Sequence, residues 1–104
     1  MWVPRSVNLG VHTIAVVRKD LQPDDAYGIF DTDTLTIFLD SRLEGTLLYE
    51  TFCHELVECL NFFAEADMEH QTIQVFGLLL AQVLKSIKEE RDPAGGKPAL
   101  SHLG

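Results

Sequence analysis

Basic residues are scarce in this chain of 104 residues, where eight Lys and Arg stand against sixteen Asp and Glu for a net charge of −8. With a sequence pI of about 4.7, no basic face is available to follow a phosphate backbone, and direct nucleic-acid binding is not expected. Only two cysteines occur. Cys53 and Cys59 lie about 120° apart on one expected helix, so they cannot bridge within it, and both read as buried thiols of a reducing compartment. No segment approaches the roughly twenty apolar residues of a membrane span. The opening Met1-Trp2-Val3-Pro4-Arg5 has neither the apolar run nor the small-residue cleavage site of a secretory signal. A soluble, cytoplasmic protein is therefore expected. No internal repeat is visible. Apolar residues at 46% and charged residues at 23% exclude a disordered chain.

What is present divides into a strand-rich first part and a helical second part. Val7-Asn8-Leu9, Gly10, and Val11 to Arg18 read as two strands meeting at a turn, and the β-branched run Thr13 to Val17 supports the second. Leu21 to Asp25, with Pro23 and paired aspartates, reads as a loop. Ala26 to Phe30 and Leu35 to Leu39 flank Asp31-Thr32-Asp33-Thr34 and make the clearest hairpin. Ser41 and Glu44 are spaced as a capping box for a helix whose apolar half gathers Leu48, Phe52, Leu56 and Cys59. Its polar half holds Glu50, Thr51, His54, Glu55, Glu58, Asn61 and, out of character, Phe62. Asp67 offers a cap for a second helix reaching about Arg91, with Ile73, Phe76, Leu80, Val83, Leu84 and Ile87 as its buried stripe. Pro93, Gly95, Gly96 and Pro98 then remove periodicity, so residues 1–91 are expected to form one domain and 92–104 a flexible tail.

Within the first helix, His54-Glu55-Leu56-Val57-Glu58 places a histidine and a carboxylate one turn apart on the polar face. His70 falls in the first turn of the second helix, where the positive helix end favours the neutral imidazole that ligates metal. His54, Glu58 and His70 thus make a candidate zinc site of two imidazoles and one carboxylate, the composition of many catalytic sites with an open fourth position. Glu65, Asp67 and Glu69 are substitute third ligands in the same connection. Glu55, about 100° from His54 around the helix, is placed to act as a base on zinc-activated water. The same spacing also arises as an ordinary solvated i,i+4 pair, which leaves a metal-free alternative open. Asn61 shares the site face as a candidate supporting residue, whereas His12 and His102 read as non-functional.

The chain resembles the small zincin-like proteins of bacteriophages and prophages over residues 7–88. The likeness is carried by Tyr27-Gly28-Ile29-Phe30-Asp31, by Thr34 to Asp40, by Thr46 to Leu56 with its His54-Glu55, by Asn61, and by Gly77 to Leu84. It implies a small sheet lying across a zinc-binding helix, with substrate backbone adding along a sheet edge. Metal ligation then falls to His54 and the base role to Glu55. Glu58 stands where the His-Glu-x-x-His pattern has its second histidine, and His70 stands where the distant carboxylate would be.

The expected fold is α+β, a mainly antiparallel sheet of three or four strands packed on two helices. The expected function is zinc-dependent hydrolysis of a peptide bond by a phage-encoded protein acting on a peptide or host protein in the host cytoplasm. The rival readings are a zincin-like protein without catalysis that binds a host protein, and an acidic inhibitor that works through its negative surface.

Overall fold

In the computed structural model, which describes residues 3–91, the strand-rich part forms one sheet and the rest two long helices. Four strands, β1 (Ser6–Leu9), β2 (His12–Lys19), β3 (Gly28–Asp31) and β4 (Thr36–Asp40), precede α1 (Gly45–Ala64) and α2 (His70–Arg91). The spatial order is β1-β2-β4-β3. Both hairpins are antiparallel, and the central β2–β4 pairing is parallel. This is the expected α+β class, with β1 and β3 as the two sheet edges. Among the described residues no helix is long and apolar enough to cross a membrane.

Local chemistry accounts for the turns. Gly10 sits at a φ of 66° between β1 and β2, a conformation a side chain would strain. In the β3–β4 loop, the Asp31 carboxylate accepts the Asp33 N–H at 2.9 Å, an Asx-type turn that polar loop residues favour. Between β2 and β3, Leu21 is almost wholly buried at the start of a short helical turn, Gln22–Asp24.

One sheet face is covered and the other open. Ile14 and Val16 on β2, with Ile37 and Leu39 on β4, point inward with the two-residue period of a half-buried strand. They meet Leu48, Phe52 and Cys59 of α1. Each such fully buried aliphatic side chain contributes about 1.5–3 kcal/mol. On the open face Lys19 lies 5.0 Å over the Phe38 ring. The α2 helix packs chiefly on α1, so α1 lies between the sheet and α2.

Two anchors set where α1 begins. Asp40, at 1% exposure, accepts hydrogen bonds from Arg42 Nε at 3.0 Å and from the Leu21 N–H at 3.4 Å. Arg18 donates to the carbonyls of Asp40, Ser41 and Leu43 at 3.1, 3.1 and 2.6 Å. The Arg42 guanidinium beside Asp40 holds its carboxyl below the ordinary carboxylate value, more than burial raises it.

The helix starts differ from the sequence expectation. No Ser41–Glu44 capping box forms, because α1 begins at Gly45 with Glu44 in the capping position and no side-chain hydrogen bond there. Asp67 does not cap α2 either. It takes a left-handed φ of 52°, and α2 opens at His70 with the Ile73 N–H on the Glu69 carbonyl at 3.1 Å. His70 is therefore the first helical residue, nearer the helix end than expected.

The expected buried stripe of α2 is also only partly buried. Ile73 and Ala81 are covered and Leu80 and Leu84 are half-buried, but Phe76, Val83 and Ile87 are about half exposed. The covered line passes instead through Ile73, Gly77, Leu80, Ala81 and Leu84, because α2 has one helix partner and a single contact covers only part of an apolar circumference. The expected flexible tail, 92–104, lies outside the described residues.

Candidate metal centre

The i,i+4 geometry of α1 holds His54 and Glu58 together without help from the rest of the fold. His54 Nε2 lies 3.4 Å from Glu58 Oε2. A tetrahedral zinc site with ligands at 2.0–2.1 Å spaces its donor atoms by roughly 3.3 Å. That edge of the tetrahedron is already formed.

His70 reaches the pair from the other helix. Its ring centroid lies 5.7 Å from that of His54, and one donor atom from each of His54, Glu58 and His70 lies within 4.8 Å of the others. Closing the wider separations to tetrahedral spacing needs rotamer adjustment of about 1–1.5 Å, and exposed His70 has the freedom to supply it. The structure thus brings together the three residues the sequence singled out. Two imidazoles and a carboxylate suit zinc, although other divalent ions compete for such donors.

Three local features place His70. Glu65 ends α1 in a left-handed conformation, its N–H shared between the carbonyls of Asn61 and Phe62, and the chain reverses there. The Asn61 side-chain oxygen accepts the Met68 N–H at 2.8 Å, so Asn61 holds the connection that carries His70. The third is Gly77, two helical turns beyond His70, where a Cβ would lie 2.9 Å from His54 Cα and 3.2 Å from its backbone N. Only glycine lets α2 approach the histidine-bearing turn of α1 so closely. The ligand pattern alone does not mark Gly77 as a site residue, yet a glycine inside a helical pattern is a signal of close packing.

Glu55 departs from its expected surroundings. The helical wheel puts it in the polar half, yet it is 7% exposed and lies beneath β3, together with buried Thr51. A Cβ on Gly28 would come within 2.9 Å of Thr51 Cγ2 and 3.0 Å of Glu55 Oε2, so glycine at that strand position makes room for the carboxylate. Burial, and secondarily the charge of Glu58, raise the Glu55 carboxyl to about 7. It borders the same space as the ligands, since Gly28, His54, Glu55, Glu58 and His70 all line one open groove between β3 and α1, of about 530 Å³. Phe62, exceptional on the polar helix face, packs edge-on to Phe30 at 5.7 Å at the same groove.

The cysteines and His12 lie apart from this cluster. Cys53 and Cys59 are buried and unpaired, and burial pushes their thiols up to about 11 and about 12, so neither offers a thiolate. His12 stacks on Phe63 with ring centroids 4.6 Å apart. His102 lies outside the described residues.

Comparison of the chain with protein-family models, curated proteins and solved structures finds no match. The class defined by fold and site is an α+β protein with a candidate His-Glu-His metal centre beside a sheet edge.

Proposed function

We propose that this protein binds a divalent metal, zinc foremost, through His54, Glu58 and His70, and hydrolyses a peptide bond with Glu55 as base. The observation that carries the reading is the convergence of three donor atoms from two helices within 4.8 Å. When bound, zinc supplies a Lewis acid and lowers the pKa of a coordinated water to about 7. Glu55, its carboxyl raised chiefly by burial to about 7 in the ion-free protein, is the group placed to accept a proton and to return it to a leaving amine. Glu58 holds the ion. The outer edge of β3 borders the same groove, so an extended peptide or host-protein segment can pair with it and cross the site. The resemblance to phage zincin-like proteins supports the same reading, including its phage origin.

The test uses zinc-loaded protein and a library of unstructured peptides. Glu55→Gln keeps the shape and the ligands, so hydrolysis is expected to fall by about 10²–10⁴-fold while bound zinc stays near one per chain. Zinc binding without hydrolysis by the wild type would reduce the centre to a structural or partner-binding role. No zinc retention at all would remove the metal reading.

A further inference from the structure

The two helices present a second surface on the side away from the groove. At 100° per residue, His54 and Glu58 of α1 and His70 of α2 mark one flank of the helix pair, and the opposite flank carries Leu56 and Leu60 of α1 with Phe76, Leu79, Val83 and Ile87 of α2. Leu60 is 46% exposed, Phe76 52%, Leu79 51%, Val83 55% and Ile87 50%. No Asp, Glu, Lys or Arg occurs between His70 and Lys85.

We propose that two copies of this chain associate through this flank, antiparallel α2 on α2, into a four-helix bundle that leaves both metal centres open. Area and charge both point to a second copy as the occupant. Side chains of this size present about 150–200 Å² when free, so the five half-exposed residues offer on the order of 450 Å² per chain. A two-fold contact buries the same patch twice, about 900 Å² before half-buried Leu56, Leu80 and Tyr49 at its margin are added. That brings the contact to the roughly 1,000 Å² at which specific interfaces begin.

Charge narrows the choice further. Copies of a chain of net charge −8 repel one another wherever they bring carboxylates together, and the stretch of this flank between His70 and Lys85 carries none. A basic partner would find no carboxylate along that stretch. The residues recur at positions 76, 79, 83 and 87, the three- and four-residue spacing that lets one helix seat its side chains between those of another. An isologous antiparallel pairing about a two-fold near position 81 sets Leu79 against Val83 of the other copy and Phe76 near its Ile87.

Light scattering and sedimentation of the full chain over a concentration series test this. The wild type is expected to approach twice the 11.7 kDa of one chain, with amide protection in 76–87 rising with concentration. Phe76→Glu and Val83→Glu, at half-exposed sites, should keep the helical circular dichroism. Each should weaken association by about a hundredfold or more, since the two-fold buries the new carboxylate twice. Val17→Glu, on the open sheet face, should leave the dimer intact. A wild type that stays monomeric at every concentration overturns the proposal, and so does a dimer that survives both glutamates. Equally, a monomer whose 76–87 amides lose protection on deletion of residues 92–104 would assign the flank to the chain's own C-terminal segment.

Discussion

Replacing Gly77 by alanine separates a helix-packing effect from a helix-propensity effect, which here have opposite signs. In a solvent-facing helix interior the change stabilises by about 1 kcal/mol, because glycine is the poorer helix former. At Gly77 the new methyl would lie 2.9 Å from His54 Cα, 3.2 Å from its N and 3.4 Å from its Cβ. Ordinary carbon contacts run about 3.5–4.0 Å. The obstruction is mainly backbone, so the two helices must part by about 0.5–1 Å rather than a side chain turning aside. Overpacking of this kind costs about 1–3 kcal/mol, which leaves a net destabilisation of up to about 2 kcal/mol in urea titrations under chelator. The same displacement carries His70 away from His54 and Glu58, and zinc affinity is expected to drop by about tenfold or more, equivalent to about 1.4 kcal/mol. A Gly77→Ala protein that is more stable than the wild type and binds zinc equally well would refute the close approach of α2 to the His54 turn.

Three further outcomes follow from the same geometry. Saturating zinc at about 100 times its dissociation constant adds about 2.7 kcal/mol to the folded state alone. The melting temperature should therefore fall by about 10–20 °C on chelation, and His54→Ala or His70→Ala should abolish that sensitivity; an unchanged response would place the ion elsewhere. A carboxyl raised from 4.5 to about 7 in the folded protein is protonated and harmless below its unfolded value, then costs stability as pH rises toward 7, to a limit of about 3 kcal/mol. In chelator, Glu55→Gln should thus gain stability over the wild type at pH 8 but not near pH 4, and a pH-independent difference in urea midpoint would contradict the buried carboxylate. Asp40 works the other way, since its folded pKa is lowered chiefly by Arg42. Its contribution is fully present above the unfolded value of about 3.9 and is lost as pH falls through the lower folded value. Asp40→Asn should flatten the acid limb of the stability profile below about pH 4, and an unaltered limb would argue against the Asp40–Arg42 pair.

The pairing of His54 with Glu58 was determined by the sequence alone, because a four-residue spacing on any helix puts two side chains on one face whatever surrounds it. Strand alternation at Ile37 and Leu39 was legible for the same reason: the period is a property of the local backbone. The buried, unpaired state of Cys53 and Cys59 followed from their angle around one helix. The approach of His70 was a tertiary decision. It depends on the reversal at Glu65, the hold of Asn61 on Met68, and the absence of a side chain at Gly77. Glu55 looked solvated on the helical wheel, but a wheel contains no sheet, and only the passage of β3 over α1 at Gly28 buries its carboxylate and raises it. The parallel pairing of β2 with β4 joins segments distant along the chain, which no local pattern encodes. The same holds for Phe76, Val83 and Ile87. Their spacing made them apolar and helical, but whether an apolar stripe is covered depends on how many neighbours the helix has, and within this chain α2 packs chiefly on one.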